Sequence, residues 1–554
     1  MKRLLIAVLV IAAADAFACT NFLVGKDASA DGSTIISYAA DSYSLYGFLR
    51  HSPAADHAAG EMREVYDWDS GRPQGSIPQV AHTYNVVGNM NEHQLTIGET
   101  TWGGREELWD TIGIDYGSLI YIALERCKTA REAIDCMIGL VEEYGYASEG
   151  ESFSIGDPNE VWVMDMIGKG KGQKGANWVA LRVPDDCICA HANQARITTL
   201  PLKAKRVTKG NRVMTKDGTA MWSKDLIAFA REKGYFSGKD EEFSYQAAYA
   251  PFDFTGLYVC ETRVWSFFRH FSSEMDQYFD YASGKTFLAT DGKDAGTPMP
   301  LFIKPERKVS AQDIKDCMRD QYEGTVLDIT QGTAAGPWHS KLRYGGLGFK
   351  VDSVQYWYER PIATQQTGWS FVAQMRSAAD ATAGGIFWFG VDDAANTVYL
   401  PISPKMTRIP ECLREGNGDM LTFSWTSAWW VFNAVANWAY TKYSAMRPEI
   451  IARQQKWEMF FNSNVEVVDR EVATLSEEDA VRYLTDYACT NAENVTADWQ
   501  QLGIYLLVKY IDGQEKKVKD GEFERDRFGG PAYPNRPACP EEYLRIIAPD
   551  VAHE

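Results

Sequence analysis

The order of strand-like and helix-like segments constrains the fold of this chain more than any other feature. Runs of β-branched and aromatic residues bounded by turn residues predict antiparallel hairpins at 20–25 with 34–39, 86–89 with 95–100, and 385–391 with 397–402. Apolar residues at helical spacing predict a helix pair at 118–128 and 129–144, where Thr129 and Glu132 form a capping box. Because regular strand-helix-strand alternation is missing, the pattern indicates a mixed α+β fold with largely antiparallel sheets.

The remaining segments divide the chain into a main part and a helical C-terminal part. Further strands are predicted at 152–155, 161–167, 178–183 and 188–192. Late helices are predicted at 427–443, 448–462, 476–488 and 496–510. We therefore expect a main domain over residues 19–415 and a mostly helical region over 416–554 that packs on it.

The first eighteen residues have the pattern of a secretory signal. Basic residues precede an apolar run at 4–14, and Ala16, Phe17 and Ala18 fit a small-x-small cleavage site. The apolar run is too short to span a bilayer, and no later run approaches about 20 apolar residues. The sequence predicts an exported protein, periplasmic or secreted, that has no membrane segment once cleavage after Ala18 has made Cys19 the first residue.

Composition excludes several partners. The formal net charge of −19 disfavours nucleic acid and anionic membrane surfaces. The ten cysteines lack paired C-x-x-C spacing, and the eight histidines form no cluster of the kind that binds zinc. We expect neither a metal nor a cofactor. The subunit number stays open, and a homo-oligomer is one of the states the sequence allows.

Cys19 combines two reactive groups if it becomes the chain terminus. A thiol has a pKa of about 8.5 and an α-amine one of about 7.7 to 8.0, so the amine can remove the thiol proton. The cysteine could instead carry a lipid anchor or be an incidental structural thiol. Phe17 argues against the lipid, because lipidation signals place a small residue at that position.

The first hairpin predicts a neighbour for Cys19. If Gly25 pairs near Thr34, the antiparallel register places Cys19 opposite Ala40 and beside Asp41. A carboxylate would then lie near the new amine, although a strand-end aspartate can equally cap a turn.

Several motifs together resemble the dipeptidase A-type cysteine peptidases. Secernins are relatives, and choloylglycine hydrolases and penicillin V acylases are more distant ones. The motifs are Cys19-Thr20-Asn21, Val24-Gly25-Lys26-Asp27-Ala28-Ser29, Asp31-Gly32-Ser33-Thr34, Asn91-Glu92, Glu99-Thr100, the segments 125–133 and 178–186, and Val391-Asp392-Asp393-Ala394. The resemblance implies an N-terminal nucleophile (Ntn) hydrolase fold, an αββα sandwich of two antiparallel sheets between helix layers.

The resemblance also implies roles for five residues. Cys19 matches the nucleophile, Asp41 the acid near its amine, and Asn91 the donor to the oxyanion. Asn193 lies in the segment that supplies a second polar contact, and Arg263 lies where the superfamily has an active-site arginine. Without the resemblance, the two asparagines could be turn residues and Arg263 a structural ion pair.

One departure concerns Tyr38, which stands where many relatives have an arginine three residues before the aspartate. It puts in doubt a charge contact near the thiolate and the usual substrate preference.

The function that the resemblance implies is hydrolysis of dipeptides or short peptides through an acyl-enzyme. The alternatives are a related amidase acting on bile-salt or penicillin-type amides, and a lipid-anchored binding protein without activity.

Overall fold

The computed structural model describes residues 19–377, 379 and 383–551. The predicted signal peptide at 1–18 lies outside the described residues. The strands are β1 Thr20–Val24, β2 Thr34–Asp41, β3 His51–Ser52, β4 Ala55–Asp56, β5 Met62–Tyr66, β6 Pro73–Pro78, β7 His82–Thr83, β8 Val86–Val87, β9 Met90–Asn91, β10 Thr96–Trp102, β11 Gly150–Asp157, β12 Glu160–Ile167, β13 Asn177–Arg182, β14 Ile188–His191, β15 Arg206–Lys209, β16 Arg212–Thr215, β17 Ala220–Ser223, β18 Phe302–Ile303, β19 Gly348–Val351, β20 Val354–Trp357, β21 Thr367–Met375, β22 Ile386–Val391, β23 Leu400–Ile402, β24 Val518–Lys519 and β25 Glu522–Phe523.

The helices are α1 Tyr116–Arg126, α2 Ala130–Tyr144, α3 Leu226–Glu232, α4 Tyr245–Tyr249, α5 Thr262–Arg269, α6 Phe279–Ala282, α7 Lys285–Ala289, α8 Ala311–Cys317, α9 Ala428–Thr441, α10 Tyr443–Val472, α11 Glu477–Tyr510 and α12 Glu541–Ile547. Within the described residues, no helix combines the length and the apolar character that crossing a membrane requires.

Two large antiparallel sheets organise the main part of the chain. The first has the spatial order β18-β14-β1-β2-β21-β22-β23, and the second has the order β15-β16-β17-β13-β12-β11-β10-β9-β8-β3. Strand β2 contacts β10, β11 and β12, so the centres of the two sheets face each other. Every residue of β1 and β2 is buried, as expected for strands covered on both faces.

Helices pack on both sheets. Helices α1 and α2 contact strands β10 and β11 of the second sheet, whereas α5, α8 and α9 contact β14, β21 and β22 of the first. The prediction of mixed α and β structure with antiparallel sheets and a helical C-terminal region is confirmed.

The register of the first hairpin agrees with its prediction. Thr20 pairs with Ala39 and Val24 with Ile35, so the residue before Thr20 falls opposite Ala40. A β-bulge between Ala40 and Asp41 interrupts the pairing of β2 with β21. Bulges redirect side chains, and this one lies at the strand end beside Cys19.

Two local predictions are corrected. Residues 90–93 were expected to form the loop of the second hairpin, but Met90 and Asn91 form the short strand β9, which pairs with both β8 and β10. The capping box of α2 is incomplete: Thr129 Oγ1 accepts from Glu132 N–H, while the Glu132 carboxylate accepts from Lys128 N–H instead of the Thr129 amide.

Helices α10 and α11 are longer than predicted, and the C-terminal helices pack on the first sheet. Residues 476–488 and 496–510, expected as separate helices, belong to the single helix α11. Helix α9 contacts β22, and α11 contacts β23. Aromatic residues of α9 are part of the core, since Trp429 and Phe432 are buried and Phe432 stacks on Trp499.

Gln454 of α10 provides a test of this packing. Its amide donates to the carbonyls of Ala395 and Thr397, in the connection between β22 and β23. Replacing Gln454 by Ala leaves buried carbonyls without this donor, so we expect the free energy of unfolding to fall by about 1–3 kcal/mol in urea titration. The matched control is Gln455→Ala, because Gln455 is exposed on the same helix. Equal stability of the two variants would show that α10 does not hold this connection.

Candidate active site around Cys19

Cys19 lies buried at the start of β1, and two side chains face its thiol. The Sγ atom is 3.7 Å from the Tyr38 hydroxyl and 3.7 Å from Glu99 Oε1, and the Tyr38 hydroxyl donates to Glu99 Oε1 at 2.6 Å. Burial, and then the charges of Glu99 and Asp41, raise the pKa of the thiol well above its usual value. A hydrogen bond with the Asp41 backbone acts in the opposite direction. The resting site therefore favours a protonated thiol.

Arg263 connects the nucleophile strand with Asn193. One guanidinium nitrogen, Nη1, donates to the Cys19 carbonyl at 2.7 Å and to Thr20 Oγ1 at 2.8 Å. The other, Nη2, donates to Asn193 Oδ1 at 2.9 Å. These bonds end on neutral oxygen atoms, so Arg263 acts here as a rigid planar donor that fixes two chain segments relative to each other.

Local backbone geometry positions Arg263 and Asn193 for the hydrogen bond between them. Arg263 follows a π-helical segment, Gly256–Glu261, and its Nε donates to the Val259 carbonyl within the same run of helix. Asn193 follows β14 with a left-handed φ of 57°, a conformation that asparagine tolerates better than most residues. Its amide nitrogen donates to the Thr101 carbonyl at 2.6 Å, which ties it to β10.

Asp41 lies beside Cys19 in a charge-compensated position. Its carboxylate accepts from Thr367 Oγ1 at 2.6 Å and pairs with Arg360 Nη2 at 2.7 Å. Both members of the ion pair are almost fully buried. Burial raises the pKa of Asp41 and the Arg360 charge opposes that rise. Asp41 and Arg360 are thus a buried ion pair at the edge of the site.

Asn91, expected as an oxyanion donor, makes its side-chain hydrogen bonds away from Cys19, Asn193 and Arg263. Its amide nitrogen donates to the carbonyls of Leu124 and Cys127 at the end of α1, each at 2.7 Å. Its amide oxygen accepts from the His93 and Leu95 N–H groups. Both amide hydrogens are therefore committed to backbone carbonyls, and Asn91 fastens the β9 turn to α1.

Asn21 positions Glu99 from the nucleophile strand. With its amide oriented to satisfy its neighbours, Asn21 donates to the Glu99 carbonyl at 2.9 Å and accepts from the Glu99 N–H at 3.0 Å. It also accepts from Ser154 Oγ, which in turn contacts His191 Nε2 at 2.7 Å. Burial lowers the pKa of His191 to about 3, so this histidine is neutral and serves as a hydrogen-bond partner within the core.

Glu99 and Glu151 form a buried carboxyl pair. They are diagonal neighbours on one face of the second sheet, because Glu151 pairs with Thr101 in the β10–β11 ladder. Burial and then the charge of Glu99 raise the pKa of Glu151 well above its usual value, and burial raises the pKa of Glu99 as well, while interactions with Glu151 and Tyr38 oppose that rise. Glu99 Oε2 and Glu151 Oε1 are buried without a hydrogen-bond partner, and two carboxyl groups this close disfavour each other's charge.

A cleft of about 340 Å³ is lined by Asn193 and Arg263 and has an acidic wall. Glu106, Glu149 and Asp253 line it together with three tryptophan rings. Burial and then the Asp69 charge raise the pKa of Glu149 to about 6. In the described part of the chain, no group of three or more His, Cys, Asp or Glu side chains could hold a metal ion.

Sequence reasoning missed two residues of this environment and undervalued a third. Glu99 was part of a motif but received no role, although a carboxylate within a buried strand is itself a signal. Tyr38 was noted only as a departure, and it occupies the space beside the thiol. Arg360 had no signal, because only the folded chain brings residue 360 to Asp41.

Comparison with known proteins places this site in a family. The model of peptidase family C69 matches residues 18–456. A "Probable dipeptidase" of Latilactobacillus sakei is 22% identical over 486 residues, covering 84% of this chain and 90% of that protein. A "Probable dipeptidase" of Salmonella dublin is 24% identical over 426 residues, covering 72% and 84%. A "Dipeptidase" of Bifidobacterium longum is 25% identical over 431 residues, covering 72% and 73%. The resemblance to dipeptidase A-type cysteine peptidases is confirmed, and the chain belongs to peptidase family C69.

Proposed function

We propose that this protein is an exported dipeptidase that uses Cys19 as an N-terminal nucleophile after cleavage behind Ala18. The observation that carries the proposal is that Arg263 holds the Cys19 carbonyl and the Asn193 side chain on one guanidinium. The family match and the dipeptidase names of the relatives support peptide substrates. Cleavage, export to the periplasm or beyond, and the acyl-enzyme are parts of the proposal.

The reaction needs no base beyond the chain terminus. The free α-amine of Cys19 takes the thiol proton, and the thiolate forms a C–S bond with the scissile carbonyl carbon. The C–N bond then breaks, and the leaving amine receives the proton from the Cys19 ammonium. Water attacks the thioester with the amine again as base, the C–S bond breaks, and the thiol regains its proton. The net change is the addition of one water across the peptide bond.

Asn193 is the side chain we assign to the oxyanion. Its Oδ1 accepts from Arg263 and one Nδ2 hydrogen donates to the Thr101 carbonyl, which leaves the second Nδ2 hydrogen for the oxyanion, and both Asn193 and Arg263 line the cleft. Asp41, neutralised by Arg360, lies where it can orient the Cys19 amine or a water. The two facing sheets with helices on either side fit the αββα layers of an Ntn hydrolase, which we adopt as the fold of this proposal.

A reagent specific for N-terminal cysteine tests the mature site. 2-Cyanobenzothiazole condenses only with a residue that carries both a free amine and a thiol, so among the ten cysteines it should modify Cys19 alone. We expect intact-mass analysis to show one addition to the processed protein and dipeptide hydrolysis to stop in parallel. Cys19→Ala should also abolish hydrolysis.

The control keeps the thiol and removes the amine. Ala18→Leu places a large residue at the cleavage position, which signal peptidase does not accept. The uncleaved chain should react with iodoacetamide but not with the benzothiazole, and it should be inactive. Full activity of that chain would contradict the N-terminal mechanism, two or three acyl chains on Cys19 would indicate a lipoprotein, and cleavage of acylated amines instead of dipeptides would indicate the amidase.

Two asparagine variants separate catalysis from structure. Asn193→Ala removes the proposed oxyanion donor, so kcat for a dipeptide should fall by about 10² to 10³-fold. Asn91→Ala should leave kcat per folded enzyme near its original value and lower the free energy of unfolding by about 1–3 kcal/mol, because buried carbonyls lose their donor. Steady-state kinetics and urea unfolding of both proteins provide the comparison. A large kcat loss in Asn91→Ala alone would reverse the assignment.

A further inference from the structure

The carboxyl pair beside the nucleophile lacks a cationic partner in the described part of the chain. Glu99 and Glu151 are 3% and 0% exposed, and no ion pair among the described residues includes either one. Their described contacts are the Tyr38 hydroxyl, the Cys19 thiol, the Thr101 backbone and hydroxyl, and each other. A buried charge without a counter-ion is costly, and the neighbouring Asp41 has Arg360 for this purpose. Glu99 and Glu151 therefore lack the compensating charge that Asp41 has.

The short distance between Glu99 and the Cys19 thiol indicates which cation could pair with Glu99. Glu99 Oε1 is 3.7 Å from the Sγ atom that attacks the substrate. In a peptide, the α-nitrogen is two bonds from the carbonyl carbon, about 2.5 Å away. When Sγ bonds to the carbonyl carbon of an N-terminal residue, the α-ammonium of that residue therefore comes within hydrogen-bond reach of a carboxylate placed like Glu99.

We propose that Glu99 binds the free α-ammonium of the substrate's N-terminal residue, with Glu151 beside it on the same face of the second sheet. This inference rests on the proposed function, since it takes Cys19 as the nucleophile. It defines the substrate class as peptides with an unblocked N-terminus that are cleaved after their first residue. N-acylated peptides lack the cation and leave the carboxylate without its partner.

Tyr38 completes this arrangement. Its hydroxyl donates to Glu99 Oε1 at 2.6 Å and stands 3.7 Å from Sγ, so it fixes the carboxylate next to the thiol. An arginine at position 38 would supply a positive charge to Glu99 from within the chain. With tyrosine there, the positive charge comes from the substrate. The acidic wall of Glu106, Glu149 and Asp253 attracts the same cation toward the cleft.

The test compares a free dipeptide with its N-acetyl derivative. The original protein should prefer the free dipeptide strongly in kcat/KM, and Glu99→Gln should reduce that preference by about 10- to 100-fold, as for a lost charge-assisted hydrogen bond. Glu99→Asp, which keeps the charge on a shorter side chain, should restore part of the preference. Glu143→Gln is the matched control, because Glu143 is exposed on α2 and its variant should keep the original ratio.

The ratio of kcat/KM for the free dipeptide to kcat/KM for its N-acetyl derivative also tests whether Glu99 has a different partner. If the carboxylate held the Cys19 amine instead, Glu99→Gln would slow both substrates equally and leave the ratio unchanged, which would overturn the inference. Loss of hydrolysis with both substrates in the original protein would instead overturn the proposed function.

A labelling experiment gives a reading that does not depend on hydrolysis. Cationic aminoethyl and anionic sulfonatoethyl methanethiosulfonates both modify thiols, and peptide mass mapping reports modification at Cys19 separately from the other cysteines. The original protein should label faster with the cationic reagent, and Glu99→Gln should lose most of that difference. An unchanged cation preference in Glu99→Gln would show that Glu99 does not form the cation site.

Discussion

The hydrogen bonds of Arg263 are the constraint on which this site depends. The guanidinium is fully buried and binds the carbonyl of Cys19, the hydroxyl of Thr20 and the amide oxygen of Asn193. Strand β1, the end of β14 and the π-helical segment before α5 therefore meet at one rigid group. Because the planar guanidinium fixes directions as well as distances, it sets where the nucleophile lies relative to the amide that we assign to the oxyanion.

The acidic side chains around Cys19 differ in their partners: Asp41 is paired with an arginine, whereas Glu99 and Glu151 have no cationic partner among the described residues. Asp41 is paired with Arg360 within the chain, and both side chains are almost fully buried. The Glu99–Glu151 pair has no such partner among the described residues. Burial, then the charge of Glu99 and then that of Asp41 raise the pKa of the nearby thiol. A cationic substrate removes that penalty when it binds, which couples recognition to activation of the nucleophile.

The sequence predicted the parts of this structure that depend on local patterns. Turn residues fixed the register of the β1–β2 hairpin, and helical spacing located α1 and α2. The hydrogen bonds of Asn91 could not be predicted, because only the folded chain brings its amide hydrogens to the carbonyls of Leu124 and Cys127. Arg360 is 319 residues from Asp41, and no local pattern reports a contact of that kind. Glu99 lay in a motif, but its significance depends on its distance from Sγ.

The central claim is that one cluster holds the nucleophile, the oxyanion donor and the ammonium acceptor together. A crystal structure of the processed protein with an α-amino aldehyde tests all three, because the aldehyde forms a hemithioacetal with a reactive thiol. We expect a bond from Cys19 Sγ to the aldehyde carbon, with the new oxygen about 3 Å from Asn193 Nδ2 and the α-ammonium about 3 Å from the Glu99 carboxylate. An adduct whose oxygen faces away from Asn193, or whose ammonium lies away from Glu99, would contradict the account.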